Sequence, residues 1–352
     1  MESYSALIIF SFSGTGNARK AAEWIIAEAE KKGISCSLKN IENLKGNNLP
    51  EIPPGALIGI CSPTHGFNLP PITLNFIFRL PASNQNKVFI LNTRAGMKMY
   101  KIFLPGLSGV AQYFAALILM LKGYKIVGMQ PMDLPSNWIS IHPGLRKKVI
   151  DSIFARCKRK TIHFAEKILS GKKVYTAFWS LPFDLLIAPV SLAYYLIGRF
   201  AIAKTFVANF NCNQCMRCVN DCPVNGVKMV ANRPYWTFNC ESCMHCMNYC
   251  PSRAIETSFS FTILLWWFVF SALPIWVINQ LVKWDWTDLN LNPFWLEIVK
   301  FLIQTLGGLL VIFLAYRLLH FLMRFNFFNK LVIYTSPSHY KFWRRYKAPK
   351  NV

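Results

Sequence analysis

An α/β doubly wound parallel sheet, then a small cysteine-rich α+β module, then a C-terminal helical membrane hairpin is the fold class this chain predicts. Three observations in the 352 residues carry it. Apolar strand-like runs alternate with helical stretches over residues 6–169, two cysteine runs of one spacing fill residues 212–251, and residues 257–282 hold no charge. The expected divisions are 1–173 for the sheet domain, 174–208 for an apolar linker helix and 209–257 for the cysteine module. The hairpin follows at 258–323 and a basic tail at 324–352.

The elements follow from pattern. Residues 6–12 form an apolar run closed by a glycine loop, and residues 18–32 carry a helical pattern. Strands are predicted at 34–41, 55–61, 87–91 and 125–129, with helices at 106–121 and 143–169. Such alternation gives a parallel sheet covered on both faces. Ligands of such sheets bind at the carboxyl ends of the strands, near the topological switch point.

Composition narrows the class. A hydrophobic fraction of 53% with 16% charged residues is too apolar for an ordinary soluble domain. The net charge of +23 would suit nucleic acid, but no reading motif accompanies it. The basic residues gather beside apolar segments, which favours an anionic lipid leaflet as partner. The first apolar run is short and follows Glu2, so no signal peptide is read there and the first domain is expected in the cytoplasm.

Each cysteine run reads C-x2-C-x2-C-x3-C-P: Cys212, Cys215, Cys218, Cys222 and Pro223, then Cys240, Cys243, Cys246, Cys250 and Pro251. This is the spacing that wraps a [4Fe–4S] cluster in bacterial ferredoxins, where the fourth cysteine reaches across to the other cluster. One cluster would then sit on Cys212, Cys215, Cys218 and Cys250, the other on Cys240, Cys243, Cys246 and Cys222. Two closed zinc sites would also use eight cysteines, yet zinc explains neither the third cysteine of each run nor the proline. Cys36, Cys61 and Cys157 lie outside the runs and are expected as buried thiols. Cluster thiolates call for a reducing compartment.

Three loops fall at predicted strand ends: Ser11-Phe12-Ser13-Gly14-Thr15-Gly16-Asn17, Ser62-Pro63-Thr64-His65-Gly66-Phe67-Asn68, and Asn92-Thr93-Arg94-Ala95-Gly96-Met97. The first leads into a helix, where glycines, amide N–H groups and hydroxyls make a phosphate seat. No lysine follows as in a nucleotide-hydrolysing loop. This loop resembles the FMN-phosphate loop of flavodoxins, and residues 1 to about 257 resemble the EFR-type family, a flavodoxin-like domain fused to a two-cluster ferredoxin domain. The resemblance implies phosphate contacts from Ser13, Thr15, Gly16 and Asn17. It implies a flavin ring lined by Thr64, His65, Gly66, Asn92, Thr93 and Gly96. The chain departs at Ala18, where flavodoxins usually carry threonine, so one phosphate hydroxyl is missing. A flavodoxin-like shell without its flavin, serving as a docking surface, is the bland alternative.

Residues 185–198 hold no charge but are too few to span a bilayer, and Pro182 and Pro189 interrupt the stretch. A helix lying at the membrane surface or packed under the cysteine module is expected. Upstream, residues 142–173 hold ten Lys or Arg against Asp151 and Glu166. Residues 257–282 are long enough for a tilted span, kinked at Pro274. A second span is read at 301–316, extended by Ile298 and residues 318–323 while Lys300 and Arg317 snorkel. Residues 283–297 carry one basic and three acidic side chains, residues 324–352 seven basic and none acidic. The positive-inside rule then puts the tail in the cytoplasm beside the redox domains of a multi-pass membrane protein.

The expected function is membrane-anchored electron transfer between FMN and two [4Fe–4S] clusters, through a redox protein of unknown identity. One alternative is an oxidoreductase reducing a quinone-like acceptor; another is a redox-responsive anchor or assembly factor whose clusters are structural.

Overall fold

The computed structural model describes residues 4–44, 46, 49–83, 85–270 and 292–349. Its centre is a six-stranded sheet. The strands are β1 (Leu7–Ser11), β2 (Cys36–Asn40), β3 (Leu57–Pro63), β4 (Lys87–Thr93), β7 (Lys125–Met132) and β8 (Val174–Tyr175), in the order β2-β1-β3-β4-β7-β8. Every pairing is parallel, and the order over the first five strands is the flavodoxin-like arrangement. The central strands β1, β3 and β4 are buried along almost their whole length, which is why they read as continuous apolar runs rather than alternating ones.

Helices α1 (Asn17–Glu30) and α4 (Lys147–Leu169) cover one face, where Trp24, Phe89, Phe154 and Phe164 meet. Helices α2 (Pro71–Arg79) and α3 (Ala111–Leu121) cover the other, over Phe10, Ile60, Phe76 and Leu119. The helix expected at 106–121 starts at Ala111 instead. Gly109 has φ +55°, and a Cβ there would lie 2.4 Å from the Phe67 carbonyl oxygen, so the chain turns before it can coil. Upstream of that turn is a hairpin the sequence did not announce, β5 (Met97–Met99) and β6 (Ile102–Leu104).

The apolar linker is not one helix. It breaks into α5 (Leu181–Leu186), α6 (Ala188–Ala193), a π turn at Tyr194–Gly198 and α7 (Arg199–Ala203), with a bend of 75° between its halves. The cysteine module follows: β9 (Phe206–Ala208) pairs with β12 (Ile255–Thr257), and β10 (Val227–Val230) with β11 (Arg233–Trp236). Two short helices, α8 (Arg217–Asn220) and α9 (His245–Tyr249), sit one in each cysteine run.

Helix α10 (Phe259–Phe270) leaves this module, and α11 (Pro293–Leu322) returns to it. α11 is a single helix of 30 residues whose most apolar 18-residue window has a mean hydropathy of 2.2, longer than the expected 301–316, because Lys300 and Arg317 do not interrupt it. Residues 271–282 of the first expected span lie outside the described residues. The end of α11 is anchored: Tyr316 is buried and accepts a hydrogen bond from the Trp236 amide at 3.1 Å. After α12 (Asn326–Tyr334) the tail is not a free basic strand. Trp343 and Tyr346 are buried, with the Trp343 indole donating to the Ile139 carbonyl at 2.6 Å.

Tyr346 joins three parts of the fold. Its hydroxyl reaches Asn17 Oδ1 on α1, and its amide donates to Asn248 Oδ1 on α9 at 2.6 Å. Replacing a buried aromatic side chain by alanine costs roughly 3–5 kcal/mol. Tyr346→Ala should therefore lower the thermal unfolding midpoint of the detergent-solubilised protein, whereas Lys347→Ala, exposed next to it, should leave it nearly unchanged.

Candidate functional site

Three strand-end loops and a fourth after β7 line an open cavity of about 150 Å³. Ser13, Thr15, Asn17, Thr64, Gly66 and Thr93 line it, as expected. The loop at 135–138, with Trp138, was not expected, nor were Arg94 and Leu107 as lining residues. The position of residues 135–138 at the carboxyl end of a parallel strand was the signal that could have found them.

Local chemistry shapes the first loop. Gly16 takes φ +101° and opens α1, a conformation that suits glycine. Ser13 Oγ accepts from the amides of Gly16 and Ala18, each at 3.1 Å. Thr15 Oγ1 is buried with no partner. An unpartnered buried hydroxyl beside a helix N-terminus fits an anionic group that accepts from it. Asn17 is held in place by donating to the Pro135 carbonyl at 2.8 Å. No carboxylate lines the cavity, and its cation, Arg94, pairs with Asp133 at 2.7 Å.

Four expected contacts stand behind the wall rather than on it. Gly16 faces the tail, where a Cβ would come within 2.9 Å of the Ala348 methyl. Asn92 braces the second loop by donating to Thr64 Oγ1 at 2.5 Å and to Ser108 Oγ at 3.0 Å. Gly96 is pressed against Asp133, where a Cβ would sit 2.0 Å from its carbonyl oxygen. His65 is buried 6.0 Å from the Trp138 ring, and its two ring nitrogens have no hydrogen-bond partner.

The cysteines gather in the crossed sets. Cys212, Cys215, Cys218, Cys246 and Cys250 line one small cavity. Cys222, Cys240, Cys243 and Cys246 line a second. Backbone geometry repeats between the runs. Gln214, Met216 and Asn225 match Ser242, Met244 and Arg253 in position, and all six have φ between 50° and 61°. Left-handed backbone at non-glycine residues costs of order 1 kcal/mol each and clusters at functional sites. It aims amides at sulfur: Gly226 N donates to Cys222 Sγ at 3.1 Å and Ala254 N to Cys250 Sγ at 3.3 Å. The Trp236 indole adds a donor to Cys246 Sγ at 3.4 Å.

Among the described residues, no three His, Cys, Asp or Glu side chains are set to hold a single metal ion. A mononuclear ion draws its ligands to one point, whereas a cubane takes one thiolate at each of four iron corners, so its cysteines stand further apart. Burial, reinforced by neighbouring sulfurs, pushes the thiols of Cys218 and Cys246 up to about 12. With no cation beside them among the described residues, these two groups are held as neutral thiols near neutral pH.

The two sites share a wall. A Cβ on Gly14 would lie 2.5 Å from the Cys243 carbonyl oxygen, and the Gly14 carbonyl is 2.7 Å from His245 Nδ1. Asn137 Nδ2 donates to the Cys243 carbonyl at 3.3 Å. On the other side of the cavity the Tyr194 ring lies against Gly66, where a Cβ would come within 1.9 Å of it.

No protein-family model matches this chain, and no curated protein does. Solved structures match at the sheet domain. An archaeal flavodoxin aligns over 46% of this chain and 98% of its own, at 20% identity and a TM-score of 0.32. Flavodoxin 1 of Bacillus cereus aligns over 46% and 97%, at 16% identity and 0.30. The rubredoxin:oxygen oxidoreductase of Desulfovibrio gigas aligns over 48% of this chain but 37% of its own, at 10% identity and 0.31.

Burial lowers the His65 imidazole to about 4, only partly opposed by the Glu241 backbone. Its folded value lies below its unfolded one, so the stability it supports is present above about pH 6.5 and is lost as pH falls toward 4. His65→Phe should flatten stability across that window in an acid titration followed by Trp fluorescence. An unchanged slope would show that other groups set the acid response.

Proposed function

We propose that the chain is a membrane-anchored flavo-iron–sulfur electron-transfer protein, passing electrons between FMN and two [4Fe–4S] clusters. The observation that carries this reading is the common wall, Gly14 against Cys243, between the strand-end cavity and the crossed cysteine set of Cys222, Cys240, Cys243 and Cys246. FMN exchanges two electrons or one and each cubane exchanges one, so the pair converts between the two currencies.

The chain's own residues do the rest. Thr15 and the amides at the start of α1 would hold the phosphate, Arg94 would balance negative charge, and Trp138 with Gly66 would flank the ring. Cys222 and Cys250 tie the two halves of the module together. Amide and indole donors to sulfur would raise the cluster potentials, and the buried Met244, Met247 and Ile255 would exclude water. Cys215 is exposed, whereas Cys240 is buried. The cluster on Cys212, Cys215, Cys218 and Cys250 is therefore the one open to a protein partner. Anchoring rests on α11 and on the return of the chain: α10 leaves the cysteine module and the tail comes back to it, which an even number of crossings requires.

Reduction of a quinone-like acceptor is the second reading. It is favoured by Leu107, which lines the cavity and is also exposed at the apolar outer surface.

Anaerobically prepared protein should contain about eight iron atoms and as many acid-labile sulfides, the content of two cubanes. Stoichiometric zinc without sulfide would overturn the reading. Gly16→Asp would also collide with the tail, so Thr15→Val is the cleaner probe of the loop. Loss of one hydrogen bond to a charged group costs about 1.5–3 kcal/mol. FMN should therefore bind that variant roughly 10- to 100-fold more weakly in fluorescence titration of the apoprotein.

A further inference from the structure

We propose that the sheet domain is itself seated in the bilayer, through one continuous apolar surface made by the β5–β6 hairpin, the outer side of α3 and the bent α5–α7 segment. The hairpin is inverted. Lys98 and Phe103 face the protein: Lys98 Nζ bonds Ser152 Oγ at 2.6 Å and lies 4.9 Å from the Phe103 ring, with the Arg156 guanidinium 4.3 Å from the same ring, while Lys101 is exposed at the turn beside Tyr100. Met99, Ile102 and, at 97% exposure, Tyr100 point away from the protein. A hairpin bordering water turns its apolar side inward, and one of two strands has little stability there alone. This polarity fits an apolar medium outside.

α3 carries no charged residue, and it leaves Leu117, Met120 and Leu121 exposed. A helix of a soluble domain has a polar outer stripe. The linker adds Trp179, Phe183 and Leu186, of which Trp179 is 89% exposed. These pieces are fastened to one another. Buried Asp184 accepts from the Ser108 and Gly109 amides at 2.9 and 2.8 Å, between the hairpin and α3, and Tyr113 of α3 meets Phe178 at 5.9 Å. An exposed apolar surface this continuous marks a membrane or protein contact.

Its continuity with α11 selects the bilayer. Phe313 of α11 stacks on Phe238 at 5.5 Å, and Phe238 meets Phe200 of α7 at 5.7 Å. The basic helix α4 flanks the hairpin, with Lys160 half exposed, and supplies cations at the height of anionic headgroups. The inference extends the anchoring reading but does not need α11 to span.

The test is photocrosslinking of the full chain in nanodiscs of phosphatidylcholine and phosphatidylglycerol. Benzoylphenylalanine replaces Tyr100, Leu121, Leu306 of α11, or Lys31, which is exposed just after α1, across the sheet from α3. Lipid adducts should dominate at Tyr100 and Leu121 and be absent at Lys31. Adducts at Leu306 without any at Tyr100 and Leu121 would overturn the seated surface and leave the anchor standing. Adducts at Tyr100 and Leu121 without any at Leu306 would support the surface and overturn the anchor. Crosslinks from Tyr100 to a second chain would replace the bilayer by a protein contact and overturn the inference.

Discussion

The seam between Gly14 and Cys243 is the constraint on which the rest of the molecule depends. At 2.5 Å from a would-be Cβ to a carbonyl oxygen, only glycine allows the first loop of the sheet domain to lie on the second cysteine run. Everything around the seam keeps it closed. His245 and Asn137 bridge it with hydrogen bonds. Tyr194 fills the space beside Gly66, and the tail closes the far side through Ala348, whose amide donates to the Thr15 carbonyl at 3.0 Å. Packing of this density does not deform gradually, so the distance between the two sites is fixed by backbone rather than by flexible side chains.

Much of this was legible in the sequence, and the reasons differ by element. The gathering of the two cysteine runs was legible because their spacing encodes a geometry, and Cys250 of the second run lines a cavity with the first run while Cys222 of the first lines a cavity with the second. The sheet was legible because its central strands are buried on both faces. The seam was not, since Gly14 and Cys243 are far apart in sequence and neither motif indicates that it packs on the other. His65 and Asn92 were assigned to the cavity wall because loop position does not reveal which way a side chain turns. His65 turns into the aromatic space beside Trp138, and Asn92 turns back to hold Thr64. The packing of the tail was hidden for another reason. Counting seven basic residues describes its charge, but Trp343 and Tyr346 decide its place, and burial of two large rings outweighs the solvation of the cations between them.

The hairpin at residues 97–104 shows how a period can hide. Its outward strand residues are apolar and its inward partners include Lys98, the reverse of the pattern by which half-buried strands are recognised. Seen from the sequence, Met-Lys-Met and Ile-Phe-Leu have no amphipathic logic. Placed against α4, they do: Lys98 and Arg156 share the Phe103 ring, and the methionines and isoleucine are left for whatever lies outside.

Buried Lys204 connects α11 to the cysteine module. Its ammonium is nearly inaccessible, caged by the rings of Tyr235, Phe238 and Tyr316 at 5.1, 4.4 and 4.8 Å, and it donates to the Trp236 carbonyl. Burial lowers it to about 8, partly opposed by the charge of Cys240. A cation held in so poor a solvent would ordinarily be expelled; ring faces and nearby sulfur replace the lost water. Trp236 then links this group to the thiols through its indole and to α11 through its amide. A shift of α11 along its axis would move Tyr316, hence Trp236, hence the donor on Cys246. The apolar helix is thereby coupled to the electrostatics of the cysteine set nearest the strand-end cavity.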